Sequence, residues 1–156
     1  MHLNILTAEE ILYYMKEVLQ GLCTIIDDVL AAKFIDKYLL NDQATRAEGM
    51  QHIHTIITQN IHKGYHNDAA KFIDKYLLND QATRAEGMQH IHTMISQNIN
   101  KGYYNDAAKF IDKYLLNDQA TREVGIEYIR TIIRKNESSG YTSAAMYLRR
   151  KYNIHS

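Results

Sequence analysis

The string AAKFIDKYLLNDQATR occurs three times unchanged, at positions 31–46, 69–84 and 107–122, so its period is 38 on both occasions. A fixed period of that length signals one supersecondary element repeated along the chain, each copy burying its apolar face against its neighbours. Segments 31–68 and 69–106 agree at 34 of 38 positions and differ only at Ile56/Met94, Thr58/Ser96, His62/Asn100 and His66/Tyr104. The third copy diverges from Glu123 onward but keeps Gly125, Asn136, Gly140 and Tyr141 in phase. A shortened last repeat is expected, with one residue lost before Ala144. Thr7-Ala-Glu-Glu10 precedes Thr45-Arg-Ala-Glu48 by the same offset. The chain therefore divides into repeats 7–44, 45–82, 83–120 and 121–156, together a single domain 1–156 whose terminal repeats act as caps.

Composition says what the repeat is made of. None of the 156 residues is proline, where an average chain would carry roughly eight. Proline collects at turns, strand edges and helix ends, so its absence argues for helices. Hydrophobic residues make up 46%, enough for a core and too many for a disordered chain. Lys+Arg and Asp+Glu are 18 each, which argues against a uniformly basic nucleic-acid surface. The single cysteine, Cys23, excludes an internal disulfide and suits a reducing compartment. No apolar run approaches the ~18 residues of a membrane span, and the first residues lack a signal-peptide pattern. The expected location is cytoplasmic, with no membrane association. The near-identity of the copies fits recent duplication or engineering. Ile, Lys, Asn and Tyr are abundant, all with AT-rich codons, which leans toward a natural gene.

Each repeat reads as two helices, about eight in all. The first helix is expected to open with a T-x-x-E capping box at Thr7, Thr45 and Thr83, and with half a box at Thr121, where Val124 replaces the glutamate. Met88, Ile91, Ile95 and Ile99 form its apolar stripe, with Met94 on the flank. Gly87 falls beside that stripe, at about 260° from Met88. A glycine there lowers helix stability by about 1 kcal/mol against alanine, so a neighbouring helix is expected to approach it closely. The helix ends at Lys63-Gly64, Lys101-Gly102 and Ser139-Gly140. The second helix is expected to be capped by Asn67-Asp68 or Asn105-Asp106. Its stripe is Ala107, Phe110, Ile111, Tyr114 and Leu115, with Lys109, Asp112 and Lys113 on a solvated face. Residues 143–152 predict a short last helix that packs through Ala144, Tyr147, Leu148 and Tyr152.

The run Gly102-Tyr-Tyr104-Asn-Asp-Ala107-Ala-Lys-Phe110-Ile-Asp-Lys-Tyr114-Leu115-Leu-Asn-Asp118 resembles the glycine turn and second helix of a tetratricopeptide repeat. The period is 38 rather than about 34. Tyr114 stands where the family prefers alanine, Gln119 where it places proline, and Ile95 where its first helix has glycine. The resemblance implies an all-α, right-handed α-solenoid of stacked helix-turn-helix repeats. It also implies a non-enzymatic scaffold that binds a protein or peptide segment on the surface lined by the first helices.

On that surface the candidate partner-binding residues are Gln51, Thr55, Thr58, Gln59 and His62 in one copy and Gln89, Thr93, Ser96, Gln97 and Asn100 in the next. Glu127, Arg130 and Arg134 follow in the last. Rows of amides and hydroxyls suit an extended peptide backbone. Single-stranded RNA is the alternative ligand, with Gln89, His92 and Asn100 for bases and Arg130, Arg134, Lys135, Arg149 and Arg150 for phosphates. The neutral central copies argue against it. Segment 1–30 holds five acids and one base, whereas segment 144–156 holds Arg149, Arg150 and Lys151 without an acid. That asymmetry allows a structural or engineered array that self-associates head to tail into a homo-oligomer. No metal site is expected: the histidines of an H-x-H pair lie about 200° apart on a helix, and no cysteine or carboxylate completes a zinc-type set. No cofactor, glycine-rich phosphate loop or catalytic pairing is expected, and Cys23 reads as core.

Overall fold

The computed structural model describes residues 28–155, together with Thr7, Glu10, Tyr13, Tyr14, Glu17 and Val18. Cys23 lies outside the described residues. These residues are all-helical, with seven helices: α1 (Asp28–Tyr38), α2 (Arg46–Lys63), α3 (His66–Tyr76), α4 (Gln81–Asn100), α5 (Tyr104–Tyr114), α6 (Arg122–Ser138) and α7 (Thr142–Tyr152). The count is therefore seven rather than eight. The expected eighth falls before Asp28, where Glu10, Tyr13, Tyr14, Glu17 and Val18 are helical. The chain forms two compact units, Met1–Asp80 and Gln81–Ser156. In the first, α1 packs on α2 and α2 on α3; in the second, α4 packs on α5, α5 on α6 and α6 on α7.

The apolar stripes become the cores. Ile35, Leu39, Ile53, Ile56, Ile57, Ile73 and Leu77 are fully buried in the first unit, as are Ile91, Met94, Ile95, Ile111 and Leu115 in the second. Each contributes about 2–3 kcal/mol relative to exposure. All five positions of the second-helix stripe, from Ala107 to Leu115, are buried. Met88 is only half-buried. The glycine turns form as the sequence predicts. Gly64, Gly102 and Gly140 have φ of 82°, 80° and 82°. The following amides of Tyr65, Tyr103 and Tyr141 donate to the carbonyls of Asn60, Asn98 and Asn136, each at 2.8 Å, which closes a Schellman motif. The close helix approach is also present. A Cβ added at Gly49 would lie 2.8 Å from Leu39 Cβ, and one at Gly125 would lie 2.8 Å from Leu116 Cδ2.

The caps differ from expectation. Thr7 and Glu10 do form a capping box: Glu10 N donates to Thr7 Oγ1 at 3.2 Å and Thr7 N to Glu10 Oε2 at 2.8 Å. Thr45 and Thr121 make no side-chain cap bond. Their hydroxyls donate backward to the Leu39 and Leu115 carbonyls, both at 2.8 Å. Those carbonyls lie just past α1 and α5, where the intrahelical ladder supplies no partner. Asp42 Oδ1 and Asp118 Oδ1 shape the turn by accepting from Ala44 N and Ala120 N. Helix α4 starts at Gln81, so Thr83 lies inside it rather than at its cap. Nor do Asn67-Asp68 and Asn105-Asp106 cap the second helices. The N-cap residues are Tyr65 and Tyr103, and Asp68 and Asp106 lie in the first turn, where carboxylates favour the helix dipole.

Two further expectations are corrected at the end of each hairpin. Asp112 is not merely solvated. It accepts Lys151 Nζ at 2.7 Å and the Tyr152 hydroxyl at 2.7 Å, just as Asp36 accepts Lys75 Nζ in the first unit. Each of these lysines also covers the ring of the next tyrosine, 4.7 Å from its centroid. This clamp, together with the Gly140-Tyr141 turn, keeps the repeat in phase through α7, so no residue is lost before Ala144. Ala145 and Leu148 accordingly take the buried places of Ala107 and Phe110, while Ala144 is exposed and Tyr147 is 64% exposed. Arg149 stands where Ile111 packs and Asn153 where Leu115 packs, and Arg149 binds Glu137 Oε1 through Nε and Nη2 at 3.1 and 2.9 Å.

Candidate functional site

The outer face of each first helix collects the sequence-predicted binding residues, because the isoleucine stripe turns the opposite face inward. In the first unit Gln51, Thr55, Thr58, Gln59 and His62 are all exposed on α2. The first four, with half-buried His54, line a shallow depression of about 290 Å³. His62 sits in the last turn, outside it. The Thr55 hydroxyl donates to the Gln51 carbonyl at 3.0 Å, so it offers a ligand only acceptor capacity.

In the second unit Gln89, Thr93 and Asn100 are exposed on α4, whereas Ser96 and Gln97 are half-buried. Thr93 repeats the back-bond, donating to the Gln89 carbonyl at 3.0 Å. Ser96 is drawn toward α6, its Oγ 3.5 Å from the Tyr128 hydroxyl. That hydroxyl also lies 3.2 Å from His92 Nδ1, with ring centroids 5.8 Å apart. Burial holds the His92 imidazole below its ordinary pKa, which favours the neutral ring. Glu127, Arg130 and Arg134 are exposed on α6 and line a cavity of about 260 Å³ with Ile133, Arg149, Ile154 and His155. Arg130 Nη1 pairs with Glu127 Oε1 at 3.0 Å, and Arg134 Nη2 donates to Thr131 Oγ1 at 3.2 Å.

The α2 and α4 faces are therefore amide-rich polar surfaces, whereas the α6 face carries Glu127, Arg130 and Arg134, its basic groups partly neutralised by its own acid. Amides donate and accept together, so such surfaces match peptide groups without demanding a charge. Sequence reasoning missed Tyr128 and its link to His92. The available signal was the row Tyr14/His52/His90/Tyr128, where the two end copies place a phenol against the histidines of the middle ones. No described helix is long and apolar enough to cross a membrane. No protein-family model matches the chain, and neither a curated protein nor a solved structure matches it.

Proposed function

We propose that the chain is a tetratricopeptide-like, right-handed helical array that binds an extended peptide or protein segment on the polar faces of its first helices. The observation that carries this reading is the repeated glutamine at one surface position, Gln51 on α2 and Gln89 on α4. Both are exposed, and both stand beside a threonine locked onto the same helix. A fixed threonine and a neighbouring amide, recurring at the period of the repeat, present the same pairing of donor and acceptor groups on each of these helices. RNA binding and head-to-tail assembly are less well supported. Three of the basic residues they draw on, Arg130, Arg149 and Lys151, are paired with Glu127, Glu137 and Asp112.

The test is selection of peptides from a random library on the intact protein, followed by calorimetry of the selected peptide with Gln51→Ala/Gln89→Ala. Loss of about 1–3 kcal/mol in binding is expected for two deleted hydrogen-bonding side chains. Unchanged affinity would refute the assignment of these faces.

A further inference from the structure

We propose a second binding site, away from the polar faces of the first helices: the groove between α1 and α3, closed by the end of α2, takes an extended acidic segment carrying a bulky apolar side chain. The groove measures about 470 Å³, within the usual range for ligand sites. Its walls bring Val29 and Ala32 from α1 opposite Phe72 and Tyr76 from α3, with Tyr65 at one end. The floor is thus apolar and aromatic.

Lysines surround it. Lys33, Lys63, Lys71 and Lys75 line the groove, against two acids, Asp28 and Asp68. Asp28 Oδ2 is occupied by the Asn60 amide at 2.7 Å, Lys71 pairs with Asp68 at 3.1 Å and Lys75 with Asp36. Among the described residues, Lys33 and Lys63 meet no carboxylate, and both are exposed. An occupant with carboxylates beside an apolar side chain satisfies both the floor and the rim. The shape selects an extended chain. From Tyr65 to Tyr76 the wall runs about 16 Å at the helical rise, the length of about five extended residues.

The second unit supplies an internal comparison, since the same groove recurs two periods later between α5 and α7 with a volume of only about 220 Å³. There Tyr104 replaces Asp28, Ser139 replaces Lys63, Ala144 replaces Asp68 and Tyr147 replaces Lys71. The second-unit version has lost two of the four lysines and both acids and gained two tyrosines, so the formal charge of these positions is +2 in both units and the smaller groove differs in lacking the fuller lysine rim. The open, lysine-rimmed form belongs to the first unit.

The test is fluorescence anisotropy of the full chain with a fluorescein-labelled peptide that has Phe-Leu at its centre and aspartates on both sides. Saturable binding is expected, weakened about tenfold or more in Lys63→Ser/Lys71→Tyr, which installs the residues the second unit already folds with, and also in the exposed Lys33→Glu. A peptide with asparagine for aspartate should bind more weakly than the acidic one. Gln51→Ala, on the first-helix face, should leave the affinity unchanged, which separates this site from the one proposed above. Absence of binding, equal affinity for the neutral peptide, or equal affinity in the lysine variants would overturn the proposal. So would single-stranded RNA of the same charge binding with the same variant sensitivity, since that would assign the groove to nucleic acid.

Discussion

Alanine at Gly49 and at Gly125 should have different effects, although the two glycines occupy the same place in the repeat. Both substitutions gain helix propensity, about 1 kcal/mol. Both also insert a methyl group where a neighbouring helix turn is already close. At Gly49 the new Cβ would lie 2.8 Å from Leu39 Cβ and 2.9 Å from Leu40 Cδ2. Leu39 Cβ is fixed to the backbone and its residue is buried, so α1 itself has to move. At Gly125 the nearest atom, at 2.8 Å, is Leu116 Cδ2, the end of a half-buried side chain that can rotate. Leu115 Cβ there is at 3.0 Å, a contact relieved by a shift of a few tenths of an ångström. Overpacking typically destabilises by about 1–3 kcal/mol, toward the upper end where backbone must move. Gly49→Ala should therefore lower stability by about 1–2 kcal/mol net, and Gly125→Ala should be within about 0.5 kcal/mol of neutral. In a chain of this length about 1 kcal/mol corresponds to about 2–4 °C in Tm. Urea unfolding followed by helical circular dichroism would measure both variants. A stabilised Gly49→Ala, or a Gly125→Ala that loses more than Gly49→Ala, would refute the close-approach reasoning.

The clamp at Asp112 predicts alkaline sensitivity. Lys151 is held above the ordinary lysine range, first by its hydrogen bond to Asp112 and then by Tyr152, and Tyr152 is raised chiefly by burial. Both groups hold their protons more tightly when folded, so their stabilisation is complete below the unfolded pKa values near ~10 and is lost as pH rises through the folded ones. Stability should fall above about pH 10, and less steeply in Asp112→Asn; identical alkaline slopes in melts of the two proteins would count against the clamp. His92 predicts the opposite limb. Its folded pKa is lowered by burial, so its contribution is present above the unfolded value of about 6.5 and declines as pH falls through the folded one. His92→Gln should flatten the stability profile as pH falls below about 6.5, and an imidazole titrating at or above its free value by NMR would contradict this.

What could be read from the sequence follows from how local each determinant is. The glycine turns were legible because φ near 80° at Gly64, Gly102 and Gly140 is a property of one residue. The buried stripes were legible because they depend only on helical phase. Cap assignment was not. A threonine hydroxyl between two helices can serve the amides ahead or the carbonyls behind, and Thr45 and Thr121 serve the latter once Asp42 and Asp118 have bent the chain. The identical QATR string shows the limit directly, since it is helical from Gln81 but a turn at 43–45 and 119–121. The register of α7 was misread because Ala144-Ala145-Met-Tyr147-Leu148 looks like Ala107-Ala108-Lys-Phe110-Ile111 displaced by one residue, while the controlling bonds come from Asp112, a full repeat away in sequence. At the candidate site, exposure followed from phase, but the His92–Tyr128 link joins two successive repeats and has no local signature.

The four positions that separate the two near-identical copies acquire a physical order once placed. Ile56 and Met94 are both fully buried, and a swap of nearly equal volume there is tolerated with little change in packing. Two of the other three changes fall on the surfaces argued to bind, and the third is at His66, which is buried. Thr58/Ser96 and His62/Asn100 lie on the first-helix faces, where they alter donors and acceptors without altering the core. His66/Tyr104 shares its phase with Asp28, the groove position at which carboxylate, imidazole and phenol succeed one another along the chain. A repeat free to drift everywhere would vary most on the broad solvated face of Lys71, Asp74 and Lys75, yet Lys109, Asp112 and Lys113 repeat those residues without change. The Asp36–Lys75 and Asp112–Lys151 clamps explain why the face is constrained, since there charge joins one hairpin to the next within each unit. Residues that hold the repeat together are thus fixed by packing and pairing, and of the four positions left to differ two lie on the first-helix faces, where a side chain can change without disturbing the core.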